Sequence, residues 1–140
     1  MSDDPERECM RLANAYALAV DRGDADAAAA CFVEDGVLEM PGGRRFEGRS
    51  AIGQRVRDIP ADQVSRHMLS NFVLRLQSHD SATGACYLTM YRGARGASAG
   101  PLPLDGPYLV GEYSDEYRRT DHGWRLVRRR LTTVFRRAEG

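Results

Sequence analysis

The chain has 140 residues, 42% of them hydrophobic, which is enough for one globular domain with a core that encloses a pocket. Its formal net charge of zero argues against binding to nucleic acid or to an anionic membrane surface, and no apolar run is long enough for a membrane helix. All twenty basic residues are arginine, so enzymes that need a Schiff-base lysine are excluded.

The first part of the chain predicts three helices with short strands between them. Gly23 is a typical helix stop, and Asp24 is a typical N-cap for the helix that follows. Residues Pro41–Gly43 form a turn, and the last of the three helices ends before Pro60. In chain order, the predicted elements are a helix from about residue 8 to 22, a short helix over 27–32, strands over 37–40 and 45–47, and a third helix that begins at Gly48.

In the second part of the chain, apolar residues alternate with polar ones, which indicates long β-strands. These strands form two predicted hairpins, the first with a polar turn at Ser78–Ser81. The stretch 94–107 is rich in glycine and proline and is predicted to be a mobile loop. Leu102 and Leu104 favour packing against a pocket mouth or a subunit interface, and the alternative is a flexible surface excursion. Helices first and antiparallel strands later are typical of an α+β fold, here a single domain over residues 1–140. The predicted long strands span 65–77, 84–93, 108–119 and 123–136.

Several motifs in this order make the chain resemble the SnoaL-like branch of the nuclear transport factor 2-like superfamily. They are Asp21 at the end of the first helix, His67 at the start of the first long strand, Gly111–Tyr117, and Asp121–Leu126. Scytalone dehydratase, bile acid 7α-dehydratase and hexachlorocyclohexane dehydrochlorinase belong to the same superfamily. The resemblance implies a cone-shaped barrel, in which a strongly curved, mostly antiparallel sheet and about three N-terminal helices enclose one pocket. It also implies a homo-oligomer, either a homodimer or a homotrimer.

The resemblance assigns catalytic roles to Asp21 and His67, which match an Asp–His pair that removes a proton beside a departing group. A carboxylate that holds one ring nitrogen of a histidine fixes the tautomer and stabilises the imidazolium, so the other nitrogen remains a base. Tyr16 matches the tyrosine of a Tyr-x-x-x-x-Asp pattern in bile acid dehydratase, and its phenol is expected to donate to a substrate oxygen. The residues alone also allow a structural role for each: a hydrogen-bonded strand histidine, an aspartate at a helix end, and a core tyrosine.

The chain departs from those enzymes at several polar catalytic positions. Met90 stands where related dehydratases carry a second carboxylate or histidine, Met40 where one carries a tyrosine, and Thr133 where one carries an arginine. We therefore predict a largely apolar pocket, with Asn71 as an additional polar contact because it has the same strand parity as His67. The expected substrate-binding residues are Leu38, Met40, Asn71, Met90 and Tyr108.

Three consecutive arginines, Arg128, Arg129 and Arg130, alternate across the last strand. The expected role is a surface ladder of ion pairs with Asp115 and Glu116 of the neighbouring strand. The alternative is an inward arginine that binds a substrate carboxylate.

The leading functional hypothesis is a cofactor-independent lyase or isomerase, dehydratase-like or polyketide-cyclase-like, that acts on a small, largely apolar molecule. The alternative is a non-catalytic protein of the same fold that binds a small ligand or serves as an assembly module. The sequence has no metal-ligand spacing, glycine-rich phosphate loop or nucleophile elbow, so neither a metal nor a cofactor is expected. No signal peptide is predicted, and Cys9, Cys31 and Cys86 have no paired spacing, so reduced thiols and a cytoplasmic location are expected.

Overall fold

The fold was obtained as a computed structural model that describes residues 4–138. It contains the three helices and the two long hairpins that the sequence predicts. Two short strands and a 3-10 turn at Pro41–Gly43 complete it. The elements in chain order are α1 (Pro5–Arg22), α2 (Ala25–Ala30), β1 (Phe32–Met40), β2 (Arg44–Glu47), α3 (Gly48–Arg57), β3 (Gln63–Leu76), β4 (Ser81–Ala94), β5 (Leu109–Thr120) and β6 (Gly123–Arg136).

Local capping residues set the bounds of the first helix. The side chain of Asp4 accepts hydrogen bonds from the backbone N–H groups of Glu6 and Arg7, at 3.1 and 3.3 Å, and Pro5 occupies the first turn. The helix therefore begins before residue 8, where the apolar periodicity alone placed its start. Gly23 ends it in the left-handed conformation, with φ 69°.

The six strands form one curved sheet in the order β2-β1-β6-β5-β4-β3. Every neighbouring pair is antiparallel except β1 and β6, which run parallel. The sheet is strongly curved, as expected, but it does not close into a barrel, and β2 and β3 remain its edges among residues 4–138. The strand β1 starts at Phe32, earlier than the local sequence predicts, because Phe32 pairs with Leu126 of β6, and the register between Phe32 and Val37 is irregular.

The buried residues form two clusters that both contribute to one cavity. One cluster contains Tyr16 and Val20 of α1 together with Trp124 of β6, and the other contains Met90 and Tyr113 of the central strands. Members of both clusters line the cavity described below. All three cysteines are buried and free. Within residues 4–138, no helix is long and apolar enough to cross a membrane.

The three consecutive arginines of β6 do not form the expected ladder. Arg129 and Asp115 are register partners in the β5–β6 pairing and point inward together, where a bidentate ion pair of 2.8 and 2.9 Å joins their fully buried side chains. Arg128 and Arg130 point to the opposite face and bind Glu39 of β1 instead. The expected surface pairing with Asp115 is therefore wrong, because Asp115 has the inward parity of β5.

Candidate active site

Asp21 and His67 are in direct contact where the last turn of α1 packs against β3. One carboxylate oxygen of Asp21 lies 2.5 Å from the Nδ1 atom of His67, and the other accepts a hydrogen bond from the backbone N–H of His67 at 2.9 Å. The Ser65 hydroxyl donates a third hydrogen bond to Asp21, also at 2.9 Å. The two paired side chains are nearly buried, with exposed fractions of 11% for His67 and 7% for Asp21.

These hydrogen bonds determine the ionisation state of Asp21. Burial acts to raise the pKa of its carboxyl, but the hydrogen bonds from the ring and backbone of His67, the attraction of His67 and the hydrogen bond from Ser65 outweigh burial, so the pKa is lowered. Asp21 is therefore an ionised acceptor at neutral pH. An ionised carboxylate has no proton to donate, so Nδ1 of His67 must be the donor in the 2.5 Å contact.

The remaining ring nitrogen, Nε2 of His67, makes no hydrogen bond within the described residues, and His67 lines the cavity. With the hydrogen on Nδ1, a neutral His67 presents an unprotonated Nε2 that can accept a proton. Buried carboxylate–histidine contacts of this kind stabilise the imidazolium that forms when the base is protonated.

Tyr16 lines the same cavity one and a half helical turns before Asp21. Its residue is 3% exposed, its ring packs edge-on against Phe32 with centroids 5.6 Å apart, and its hydroxyl has no hydrogen-bond partner within residues 4–138. Burial raises the pKa of the Tyr16 phenol, while the positive charges of Arg55 and Arg129 oppose that rise. The phenol therefore stays protonated at neutral pH and is available as a donor.

The cavity has a volume of about 220 Å³ and continues into a cleft that shares His67 with it. Of the residues predicted to contact substrate, Met40, Met90 and Tyr108 line this cavity. Leu38 does not, because it is fully buried in the core beneath it.

Asn71 also lies away from the cavity and is exposed. Asn71 lies at a bulge in the β3–β4 pairing and has a backbone φ of 56°. The extra residue of the bulge changes which positions of β3 face inward, so that Phe72 and Leu74 point inward after it. The parity argument that placed Asn71 beside His67 fails at this bulge.

Several residues of the site were not anticipated from the sequence. Ser65 points to the same face of β3 as His67, and this shared strand parity is the feature of the sequence that could have identified Ser65 as a site residue. Tyr113 of β5 lines the cavity, and burial raises the pKa of its phenol while Arg129 opposes the rise. The remaining unanticipated residues are the arginines of the cavity rim, Arg44, Arg55, Arg92 and Arg136.

The loop after β4 lies beside this rim. Its Leu102 is half-buried and reaches to within 3.2 Å of the position that a Cβ atom on Gly93 would take, whereas Leu104 is 77% exposed. The loop and the ends of β3 and β4 form a separate cleft of about 450 Å³ that shares Arg92 with the cavity. Among residues 4–138, no group of His, Cys, Asp and Glu side chains is arranged to hold a metal ion.

The family model for the SnoaL-like domain matches residues 4–130. The chain therefore belongs to the SnoaL-like family, within the nuclear transport factor 2-like superfamily. Among curated proteins, none matches the chain.

Several solved structures are similar to this chain. A nuclear transport factor 2-like protein with a cystatin-like fold from Novosphingobium aromaticivorans is 29% identical, with a TM-score of 0.79 over 93% of this chain and 82% of that one. A candidate scytalone dehydratase from the same organism is 25% identical, with a TM-score of 0.79 over 92% of this chain and 83% of that one. A hexachlorocyclohexane dehydrochlorinase is 15% identical, with a TM-score of 0.76 over 92% and 84%, which shows a shared fold alone.

Proposed function

We propose that this protein is a cofactor-independent lyase or isomerase that removes a proton from carbon in a small, largely apolar substrate. The observation that carries the proposal is the 2.5 Å contact between Asp21 and Nδ1 of His67, which leaves Nε2 as a base at the cavity. The family relationship supports it, because a candidate dehydratase is among the similar structures.

In the proposed step, Nε2 of His67 takes the proton of a carbon–hydrogen bond. The electron pair of that bond forms a carbon–carbon double bond, either as an adjacent hydroxide or halide leaves or as a neighbouring carbonyl becomes an enolate. Tyr16 donates a hydrogen bond to the group that gains negative charge, which is the departing hydroxide or halide or the enolate oxygen, and Asp21 stabilises the imidazolium. A cyclase reaction through an enolate uses the same three groups.

A non-catalytic ligand-binding or assembly protein is the second candidate. The observation that favours it is the apolar character of positions that are polar in related dehydratases, since Met40 and Met90 line the cavity beside His67. A binder of this kind would hold a small molecule without exchanging its protons.

Proton exchange in deuterated water separates these two functions without knowledge of the natural substrate. A panel of small cyclic ketones and β-hydroxy ketones is incubated with the protein, and deuterium incorporation beside the carbonyl is followed by NMR. We expect exchange that His67→Gln slows by about 10²–10⁴-fold. His79→Gln is the matched control, because His79 is exposed in a turn and does not line the cavity. Equal exchange by wild type and His67→Gln would contradict the proposed base.

We further propose that the protein is a homodimer or homotrimer that pairs through the sheet face opposite the cavity. Met68, Tyr87 and Phe135 lie on that face and are 49%, 47% and 67% exposed. Light scattering on Phe135→Glu is expected to show a smaller particle than wild type, and a monomeric wild type would exclude the assembly.

A further inference from the structure

The rim of the cavity carries four arginines that converge from different parts of the chain. Arg44 comes from β2, Arg55 from α3, Arg92 from β4 and Arg136 from β6, and all four line the cavity that contains His67. Positions so far apart in sequence are brought together only by the fold. The rim therefore concentrates positive charge at the opening through which a molecule reaches the base.

None of these four arginines has a carboxylate partner among residues 4–138. Other arginines of the chain do, since Arg45, Arg49, Arg57, Arg128, Arg129 and Arg130 all form ion pairs. Two rim arginines are held by aromatic rings instead: the guanidinium of Arg92 lies 4.6 Å from the centre of the Tyr108 ring, and that of Arg55 lies 6.0 Å from the centre of the Phe46 ring. A ring contact leaves the charge and most of the N–H donors of an arginine available.

Within residues 4–138, no carboxylate lines the cavity to balance this charge. The described lining has neither aspartate nor glutamate, and Asp21 is already engaged by His67 and Ser65. Asp58, in the adjoining cleft, accepts a hydrogen bond from Gln54 at 2.9 Å. Because the whole chain has a net charge of zero, this local excess of positive charge is specific to the cavity mouth.

A second observation also indicates a polar ligand group. Thr133 lines the cavity, and its buried Oγ1 atom has no hydrogen-bond partner within the described residues. Buried hydroxyls are normally hydrogen-bonded, so an unpartnered one at a cavity wall is available to a bound molecule. The deeper lining, in contrast, is apolar at Met40, Leu88 and Met90.

We infer that the cavity takes an anionic substrate, one with an apolar body that reaches His67 and a carboxylate or phosphate group that the arginine rim binds. Guanidinium groups match both oxyanions through paired N–H donors. The inference deepens the proposed function, since it names the substrate class of the same cavity. In such a complex, the apolar lining excludes water from His67, and the arginine rim orients the substrate.

Matched pairs of small ligands test the rim independently of catalysis. Calorimetry compares benzoate with benzamide, and phenyl phosphate with phenol, each against the full chain at low and high salt. We expect at least one anion to bind about tenfold or more tightly than its neutral counterpart, with the preference reduced by salt. Tighter binding of benzoate identifies a carboxylate substrate, and tighter binding of phenyl phosphate identifies a phosphate-bearing one.

Variants then localise the effect. Arg55→Gln and Arg92→Gln are each expected to weaken anion binding about tenfold, whereas Arg75→Gln, an exposed arginine outside the cavity, should not change it. Circular dichroism confirms that each variant is folded. The inference is overturned if no anion binds better than its neutral counterpart, or if Arg75→Gln weakens binding as much as the rim variants do.

The two proposals fail separately. His67→Gln should bind the preferred anion as wild type does while it loses proton exchange. Anion preference without His67-dependent exchange would remove the proposed base and leave the rim. Exchange without anion preference would remove the rim inference and leave the base.

Discussion

Replacing Asp21 with asparagine tests the central contact of the site, because the change removes the charge and one acceptor while it preserves the shape. In the wild type, both carboxylate oxygens accept, one from Nδ1 of His67 and from Ser65, the other from the backbone N–H of His67. The amide of the Asp21→Asn variant has only one oxygen. The NH₂ group of the asparagine must face either the backbone N–H of His67, where two donors clash, or the His67 ring. If it faces the ring, Nδ1 must accept its hydrogen bond, and the ring then carries its hydrogen on Nε2.

Either outcome weakens the base. A histidine with its hydrogen on Nε2 cannot accept a proton at the cavity, and a clash of donors displaces the ring from its position. We expect Asp21→Asn to lower the proton-exchange rate by about 10²–10³-fold, within the usual range for general-base catalysis. Ser65→Ala is a milder control, because it removes only one of the three hydrogen bonds to Asp21.

The same substitution has a stability signature that depends on pH. Hydrogen bonds to a charged group contribute about 1.5–3 kcal/mol each, and the amide keeps some of them, so we expect a net loss of about 1–3 kcal/mol near pH 7. The folded-state pKa of Asp21 is lowered below that of the unfolded chain. The stability that the ionised Asp21 contributes is therefore fully present above its pKa in the unfolded chain, about 4. This stability is lost as the pH falls through the pKa of Asp21 in the folded protein.

Urea unfolding of wild type and Asp21→Asn between pH 3 and 8 measures this difference. The gap in the free energy of unfolding should narrow as the pH falls below about 4, where the Asp21 carboxylate of the wild type becomes protonated. A gap that stays constant to pH 3, together with unchanged proton exchange at pH 7, would refute both the ionised state of Asp21 and its role in orienting His67.

Three further substitutions probe the surroundings of the site. Tyr16→Phe should lower proton exchange about tenfold with an unchanged circular dichroism spectrum, because only the hydroxyl is lost, and an unchanged rate would remove Tyr16 from the mechanism. Asp115→Asn should cost about 3–5 kcal/mol in urea unfolding, since it leaves Arg129 fully buried without its anion, and a loss below 1 kcal/mol would show that water reaches the pair. Gly111→Ala should cost about 1–3 kcal/mol, because the new Cβ would lie 2.7 Å from the carbonyl oxygen of Thr132, and wild-type stability would mean that the strand shifts freely.

The elements and the contact between Asp21 and His67 could be predicted from the sequence because recognisable motifs carry them. Helical and alternating apolar periods identify the three helices and the four long strands, and family motifs identify Asp21 and His67. Features that depend on tertiary pairing could not be predicted. The bulge at Asn71 and the inward parity that joins Asp115 to Arg129 follow from strand register, which the local pattern does not determine.

The arginine rim is the clearest case of a feature that only the fold reveals. With twenty arginines in the chain, nothing in the sequence separates Arg44, Arg55, Arg92 and Arg136 from the rest. What separates them is a shared cavity and the lack of a carboxylate partner within residues 4–138, and both are properties of side chains that come from four different elements.

Arg129 connects the fold to the site. A buried ion pair is a weak source of net stability, so the position of this one is more informative than its energy. Its guanidinium lies 3.9 Å from the centre of the Tyr113 ring and 5.2 Å from that of the Tyr16 ring, and both tyrosines line the cavity. The positive charge of Arg129 opposes the rise in pKa that burial causes in both phenols. Each phenol is therefore a better hydrogen-bond donor than it would be beside an apolar residue. Asp115, by holding Arg129 through two hydrogen bonds, keeps that charge beneath the cavity.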